Sequence, residues 1–426
     1  MKNRIGWKSG AALVVANMIG TGAFTSLGFQ VTGVQNTWSI LLLWAIGGGI
    51  AIAGAFSYAE LGSYFQRSGG EYQYLSQIYH PLAGYLSGWV SLTVGFSAPV
   101  ALAAMAMAAY LQDFLPIPAK VIAILAIVSI SLIHSVSLRQ SSRFQDITTL
   151  LKLLLISSFI IGGLLISSEP SALDLSGGWT EELLLPAFAV ALVYVTYSYT
   201  GWNAAAYIVE EIEEVRRNLP KALIRGTLLV TVFYVLLQLV FLRHASIEQL
   251  RGKVEVGQIV AIQLFGQSGG QLVSYAIAFF LISSISAMIW VGPRVSMVMA
   301  EDHGLWKFLD QKNAAGIPVR AIWFQTNISI GMVLTGTFEQ ILLYCGFILQ
   351  LFSMLSVAGT FLLRRQQKQL PYVNPGYPWL PALFILASLW ILSFLIFQHP
   401  SETLIGFTNL GLGGLTYLVS RYFFTK

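Results

Sequence analysis

The stretch 14–24 reads VVANMIGTGAF and places two glycines around a threonine in the middle of an apolar run. A second interruption, at 194–205, reads YVTYSYTGWNAA, where polar residues and one glycine break apolar sequence. Glycine weakens a helix and frees backbone groups, and unpaired backbone at membrane depth is tolerated only where it lines a cavity or is buried in protein. Either break alone could be a close helix contact, but the pair predicts two discontinuous helices that form a site near the membrane midplane.

The composition is that of an integral membrane protein. Of the 426 residues, 56% are hydrophobic and 10% are charged, and no long polar stretch leaves room for a soluble domain. A helix needs about 20 apolar residues to cross the hydrocarbon core, and runs of this length predict an all-α protein with about 12 transmembrane helices. The runs lie at 9–28, 38–63, 82–111, 118–135, 147–167, 183–208, 223–242, 271–293, 320–337, 339–363, 380–397 and 402–420. The two breaks fall in the first and sixth runs, which is the interval that an inverted five-helix repeat requires.

The basic residues predict the orientation. If the N-terminus is cytoplasmic, 19 of the 24 Lys and Arg residues fall on the cytoplasmic side, and four lie outside: Lys120, Arg243, Arg251 and Lys253. The positive-inside rule then predicts a multi-pass protein of the cell membrane with both termini in the cytoplasm. The net charge of +5 therefore reflects the orientation of the protein in the membrane and gives no indication of nucleic-acid binding. The lone Cys345 and five scattered histidines predict no disulfide, no metal site and no cofactor.

Lys152 is the remaining basic residue, and it lies within the apolar stretch 148–168. A charge at bilayer depth costs about 3 kcal/mol, so such a residue usually faces a cavity or an ion pathway. It lies about 13 Å deeper than Arg143 along a helix, which makes simple snorkelling to the interface the weaker alternative. A lysine held there can serve as a fixed cation or as a proton carrier.

Five motifs, in order along the chain, resemble the amino acid–polyamine–organocation superfamily of transporters, and most closely its L-type amino acid transporter branch. They are Ile19–Phe24, Ala59–Leu61 with Ser68–Tyr72, Phe144-Gln145 with Lys152, Tyr199–Asn203 with Glu210-Glu211 and Arg217–Ala222, and Gly316–Ala321. Positions near Leu27, at Glu214-Val215 and at Glu301 depart from the family pattern, all outside the expected pocket. The resemblance implies one transporter domain, 1–426, with a leucine-transporter-type 5+5 inverted repeat (approximately 9–167 and 183–363) and two extra helices at approximately 380–420.

The resemblance also implies a substrate site and a coupling site. Backbone N–H groups at Thr21 and Gly22, beside Gly20, would bind an α-carboxylate, because a helix N-terminus favours an anion. Carbonyls at helix C-terminal ends would bind the α-ammonium; these are expected at Met18, Ile19, Tyr197, Ser198 and Thr200. Tyr197 would also act as an aromatic gate, Asn203 would contact the substrate side chain, and Phe96 and Ser97 would line the pocket. Alternative interpretations are a packing role for Tyr197 and satisfaction of freed backbone by Asn203.

By the same resemblance, the Lys152 ammonium would take the place of a sodium ion bridging the first and eighth helices. Its expected partners are the carbonyl of Gly20 or a neighbour and a hydroxyl from Ser283, Ser284 or Ser286, unless these serines serve packing alone. Sodium-independent exchange and proton coupling both remain open. Glu60, Glu210 and Glu211 lie at cytoplasmic ends, where solvated charges or gate contacts are expected rather than proton sites.

No Asp or Glu lies deep in any predicted span, so the substrate is expected to be a neutral L-amino acid. The alternatives within the same fold are an amino acid exporter and an antiporter of cationic amino acids or polyamines. A channel would need a filter built from symmetric copies, and an intramembrane enzyme would need a positioned catalytic constellation; the sequence predicts neither. The expected partners are the amino acid, the lipid bilayer and a candidate coupled proton, and no accessory subunit can be inferred.

Overall fold

The computed structural model describes residues 5–112, 114–136, 141–166, 178–314, 316–367 and 369–424, with the backbone alone at 141–146. Within these ranges the chain is helical, and its one strand-like pairing is a bridge between Ile5 and Ile212. The α-helices are α1 (Trp7–Met18), α2 (Gly22–Thr25), α3 (Leu27–Gln30), α4 (Thr37–Phe65), α5 (Glu71–Ile78), α6 (Pro81–Val90), α7 (Ser97–Leu111), α8 (Ala119–Val136), α9 (Ser141–Leu165), α10 (Trp179–Glu182), α11 (Pro186–Ser198), α12 (Val215–His244), α13 (Ile247–Leu250), α14 (Val256–Asp302), α15 (Val319–Thr335), α16 (Phe338–Gln366), α17 (Trp379–Gln398) and α18 (Pro400–Phe423). A π-helix (Ser91–Gly95) joins α6 to α7, and 3-10 helices cover Ala204–Glu211 and Gly304–Leu309.

Eight helices within the described ranges are long and apolar enough to cross a membrane. The remaining predicted spans coincide with the broken segments α1–α3 and α11 with Ala204–Glu211, and with α15 and α18. The prediction of an all-α membrane protein is thus confirmed, while the count of 12 and the inverted repeat stay predictions. Side chains used in the charge and motif predictions that lie outside the described residues are Lys2, Arg4, Arg139, Arg143, Phe144, Gln145, Lys368 and Lys426.

Both predicted breaks are present, and the local sequence explains them. α1 ends at Met18, Ile19 leaves helical geometry, and the chain becomes helical again at Gly22. α11 ends at Ser198, and Gly201 then adopts a φ of +99°, a left-handed conformation that favours glycine. A Cβ added at Gly201 would lie 2.8 Å from the backbone carbon of Asn17. The two breaks therefore meet at one depth because a glycine allows their backbones to approach.

The other helices surround these broken segments. α12 packs on both α1 and α4, while α14 packs on α7 and α8. Large apolar side chains remain exposed on the outward faces of the bundle, among them Leu154, Ile161, Leu386 and Phe397. An exposed apolar belt is unfavourable in water but is the surface that a lipid-facing bundle needs.

One buried ion pair joins α4 to the end of α16. Glu60 is 0% exposed, and its carboxylate accepts hydrogen bonds from Arg364 Nε at 2.8 Å and Nη2 at 2.5 Å. The backbone N–H of Asn374 donates a third bond of 2.7 Å to the same carboxylate. A bidentate guanidinium contact of this kind is both strong and geometrically selective, so Glu60 acts as a structural anion.

Arg364→Ala should lower the free energy of unfolding by about 3 kcal/mol, because removing one partner leaves a buried charge uncompensated. The measurement is thermal or denaturant unfolding of the purified protein in detergent. Arg365→Ala is the matched control, since Arg365 is the exposed neighbour on the same helix. Equal stability of the two variants would contradict the structural role of the pair.

Candidate functional site

The break in the first helix combines unpaired N–H groups with open space. Among the described residues, the backbone N–H groups of Thr21, Gly22 and Ala23 have no backbone acceptor. A Cβ built at Gly20 would meet no atom within 4 Å, whereas one at Gly22 would lie 2.6 Å from Ser198 Cα. Gly20 therefore borders a space, and Gly22 is a close contact between the two broken helices.

The second break lies in the sixth predicted span, between α11 and the 3-10 helix Ala204–Glu211. Hydroxyl groups fix its α11 side. Ser198 Oγ donates to the Tyr194 carbonyl at 2.8 Å and lies 2.8 Å from Ser26 Oγ at the junction of α2 and α3. Gln30 Nε2 donates to Ser26 Oγ at 3.0 Å, and Trp44 Nε1 donates to Gln30 Oε1 at 2.9 Å. This chain of hydrogen bonds ties α2 and α3 to α11 and α4, so the Ser198 hydroxyl serves the scaffold.

Not every carbonyl that was expected to be free is free. The Met18 carbonyl accepts from Tyr234 Oη at 2.6 Å and from Gly20 N at 2.8 Å, and the Ile19 carbonyl accepts from Lys152 Nζ at 3.2 Å. The Tyr197 carbonyl accepts from both the N–H and the hydroxyl of Thr200. The carbonyls of Met18, Ile19 and Tyr197 thus already have donors within the protein, and their contact with an α-ammonium stays a prediction. Among the described residues, no backbone donor reaches the carbonyls of Ser198 and Thr200.

Lys152 bridges the first helix and α14. Its side chain is buried, at 2% exposure, and Nζ donates to the Ile19 carbonyl at 3.2 Å and to Ser284 Oγ at 2.9 Å. The other two candidate serines are engaged elsewhere: Ser283 Oγ lies 2.6 Å from Thr148 Oγ1, and Ser286 Oγ lies 2.8 Å from His134 Nε2. Of the three, Ser284 is therefore the one that contacts the ammonium.

Phe96 and Ser97 follow the π-helix at the point where α7 begins. Ser97 is fully buried, and its hydroxyl donates to the Leu92 carbonyl at 3.2 Å. The Ser97 carbonyl accepts from Ser329 at 2.9 Å, and the Phe96 carbonyl accepts from Gln325 at 3.4 Å. These bonds join the start of α7 to α15, and the role of Phe96 and Ser97 in lining a pocket stays a prediction.

Tyr197 and Asn203 lie on opposite sides of the sixth-helix break. Tyr197 is 5% exposed, and its phenol lies near the Thr21 side chain, so it spans the two breaks. Asn203 Nδ2 instead donates to Glu71 Oε1 and to Tyr207 Oη, each at 3.3 Å. The Asn203 amide thus belongs to a separate polar cluster, and neither predicted role, substrate contact or backbone satisfaction, describes these contacts.

Glu71 is the residue that the sequence argument missed. It begins α5, outside the membrane-spanning helices, yet it is only 5% exposed and accepts bonds from Tyr58 at 2.5 Å and Ser353 at 3.2 Å. Burial raises the pKa of the Glu71 carboxyl, although the hydrogen bonds it accepts act in the opposite direction. The available signal was its position in Glu71–Ile78, where aromatic and apolar residues follow a glycine pair, as in a segment that folds back against the bundle.

The comparisons with known proteins agree with this architecture. A family model described as "Amino acid permease" matches residues 5–409. The chain is 28% identical to the b(0,+)-type amino acid transporter 1 of Homo sapiens, over 94% of this chain and 84% of the relative. It is 26% identical to the serine/threonine exchanger SteT of Bacillus subtilis (strain 168), over 92% and 91%. It is also 26% identical to the large neutral amino acids transporter small subunit 2 of Homo sapiens, over 99% and 81%. With a family model that spans nearly the whole chain, the protein belongs to the amino acid permease family, and its function is amino acid transport.

Proposed function

We propose that this protein exchanges neutral L-amino acids across the cell membrane by alternating access, without sodium. The observation that carries the proposal is the Lys152 ammonium between the Ile19 carbonyl and the Ser284 hydroxyl. A cation fixed there holds the broken first helix against α14 without a bound ion. We assign the protein no enzymatic activity, and we place both of its termini in the cytoplasm on the distribution of basic residues.

The substrate in this proposal binds across the two breaks. The N–H groups of Thr21 and Gly22 receive the α-carboxylate, and the carbonyls of Ser198 and Thr200 receive the α-ammonium. Tyr197, which already reaches Thr21, covers the bound molecule. In this proposal the first break supplies the donors that bind the carboxylate, and the second break supplies the acceptors that bind the ammonium.

We favour a substrate with a neutral side chain for two reasons. One is the chemistry of the residues around this space, and the other is the kind of substrate named for the relatives. Within the described residues, no hydrogen bond joins a carboxylate to Gly20, Thr21 or Thr200. Cationic amino acids are the second candidate substrates. The carboxylate of Glu71 lies beside Asn203, which belongs to the broken sixth span, and a carboxylate could pair with a cationic side chain. The Glu71 carboxylate already accepts three side-chain hydrogen bonds, which makes it a poorer partner for a substrate cation.

Thermal-shift screening of the purified protein tests the substrate class. Neutral L-amino acids such as serine, alanine and leucine should raise the melting temperature, because a ligand that binds the folded state stabilises it. Arginine, lysine and putrescine should give little shift, and D-enantiomers control for non-specific effects. A dominant shift with a cationic ligand would make the second candidate correct.

Lys152→Ala should reduce substrate exchange in sodium-free proteoliposomes by about tenfold or more, the loss expected when a charge-assisted hydrogen bond is removed. The control is Lys120→Ala, which removes an exposed lysine that also donates to a carbonyl, that of Leu334. If Lys152 is a fixed cation, exchange and its response to pH should fall together. Wild-type exchange by Lys152→Ala would show that the charge is merely tolerated.

Gly20→Val and Gly22→Val should separate substrate binding from helix packing. Gly20→Val fills space beside the free N–H groups, so it should abolish the ligand-induced thermal shift while the melting temperature of the ligand-free protein stays unchanged. Gly22→Val should lower that melting temperature, because its side chain would overlap Ser198. Gly49→Val is the control, since Gly49 is exposed on α4 with nothing within 4 Å of an added Cβ. Normal ligand binding by Gly20→Val would remove the proposed carboxylate site.

A further inference from the structure

Glu71 and Glu60 are both buried carboxylates, but their partners differ. Glu60 is paired with the guanidinium of Arg364, so its charge is compensated. Glu71 accepts hydrogen bonds from one phenol, one hydroxyl and one amide, those of Tyr58, Ser353 and Asn203, and Asn203 also donates to the phenol of Tyr207. Within the described residues, no Lys, Arg or His side chain interacts with it. A buried carboxylate without a cation is costly in its charged form.

The donors to Glu71 come from three separate parts of the fold. Tyr58 lies on α4, Ser353 lies on α16, and Asn203 lies in the broken sixth segment, where it also donates to Tyr207 Oη. The loop before Glu71 is attached to the same segment, because Gly69 N donates to the Tyr207 carbonyl at 3.2 Å. Any movement of Ala204–Glu211 away from α4 and α16 would therefore pull this cluster apart and admit water to the carboxyl group.

We propose that Glu71 is a proton-binding site whose proton is held while Ala204–Glu211 is closed and released when that segment opens. The proton site goes beyond the proposed amino acid exchange, but it rests on that proposal because we take the opening of Ala204–Glu211 to be a step of the exchange cycle. On opening, the carboxyl O–H bond breaks, water accepts the proton as hydronium, and the hydrated carboxylate remains. Closing requires the reverse transfer, in which a proton from water returns to the carboxylate before it is buried.

The sign of the pH effect follows from linkage. Burial raises the pKa of Glu71 in the closed form, whereas a hydrated carboxyl group has its ordinary pKa. Between these two values the closed form binds a proton that the open form lacks, so a rise in pH favours opening. The titratable groups that face Glu71 are the phenols of Tyr58 on α4, Tyr74 on α5 and Tyr207 on the sixth segment. On α16 the facing group is the neutral hydroxyl of Ser353.

Hydrogen–deuterium exchange of the full chain without substrate tests the proposal directly. After correction for the intrinsic pH dependence of amide exchange, the opening equilibrium of 204–212 should rise with pH, by up to about tenfold per unit within the window, as one released proton requires. The measurement scans pH upward from the ordinary carboxyl range, because burial raises the pKa of Glu71 above that range. Peptides from α8 serve as the internal reference, because that helix lies away from the cluster. A wild-type profile that is flat for 204–212 would overturn the proposal without recourse to any variant.

Glu71→Gln keeps the shape of the protonated carboxyl and cannot ionise. Its 204–212 segment should stay closed across the pH range, with the wild-type pH dependence abolished. Tyr74→Phe is the matched control, because the Tyr74 hydroxyl has no hydrogen-bond partner within the described residues and its removal should leave the wild-type profile intact. Persistence of the wild-type pH dependence in Glu71→Gln would assign the titration to another group.

Transport assays separate this proposal from the proposed function. In proteoliposomes, Glu71→Gln should lose the response of amino acid uptake to a pH gradient, whereas Tyr74→Phe should keep it. If neutral amino acids are not transported at all but the exchange profiles behave as expected, the proton site stands and the substrate assignment fails. If transport is normal and its pH response is unchanged in Glu71→Gln, the proton site is wrong and the substrate assignment stands.

Discussion

Every backbone polar group at bilayer depth must find a partner inside the protein, and two interrupted helices make this requirement unusually demanding. The neighbouring helices meet it with side chains. Tyr234 and Gln238 from α12 donate to the carbonyls of Met18 and Ala23, and Tyr110 from α7 donates to that of Phe24 at 2.9 Å. Lys152 from α9 covers the Ile19 carbonyl. α7, α9 and α12 are therefore placed so that their side chains donate hydrogen bonds to the carbonyls of the interrupted first helix.

These partners satisfy acceptors of the first-helix break and leave its donors unpaired. Tyrosine, glutamine and lysine side chains all reach the break as donors, and no side-chain acceptor reaches the N–H groups of Thr21 and Gly22 within the described residues. At the sixth-span break, the carbonyls of Ser198 and Thr200 accept no backbone hydrogen bond within the described residues, and the N–H groups of Gly201, Trp202 and Asn203 also lack a backbone acceptor there. The free N–H groups of Thr21 and Gly22 lie beside the space at Gly20, and the proposed carboxylate contact rests on them.

Helix class and the positions of the breaks could be read from the sequence because they depend on local properties. The lengths of the apolar runs predicted spans at 38–63 and 82–111, which agree within a few residues with the helical spans Thr37–Phe65 and Pro81–Leu111. The glycines predicted both interruptions. The depth of Lys152 likewise followed from its distance along one helix. The partners of the freed carbonyls could not be predicted, because Tyr234 lies 216 positions from Met18 and its rotation depends on packing. Glu71 was missed for a related reason: hydropathy marks α5 as a loop, and only tertiary folding buries it.

Three of the buried ionisable side chains among the described residues, Lys152, Glu60 and Glu71, have surroundings that assign them different tasks. Lys152 has a carbonyl and a hydroxyl as partners, which suit an ammonium, and Glu60 has a guanidinium, which suits a carboxylate. Glu71 has neutral donors alone among the described residues, and these can bind either of its protonation states. A group that is hydrogen-bonded in both states, without a fixed counter-charge, can change charge without destroying the fold around it. In this protein such a group lies where the broken sixth helix meets α4 and α16, so a change in its protonation acts on the contact between a discontinuous segment and two continuous helices.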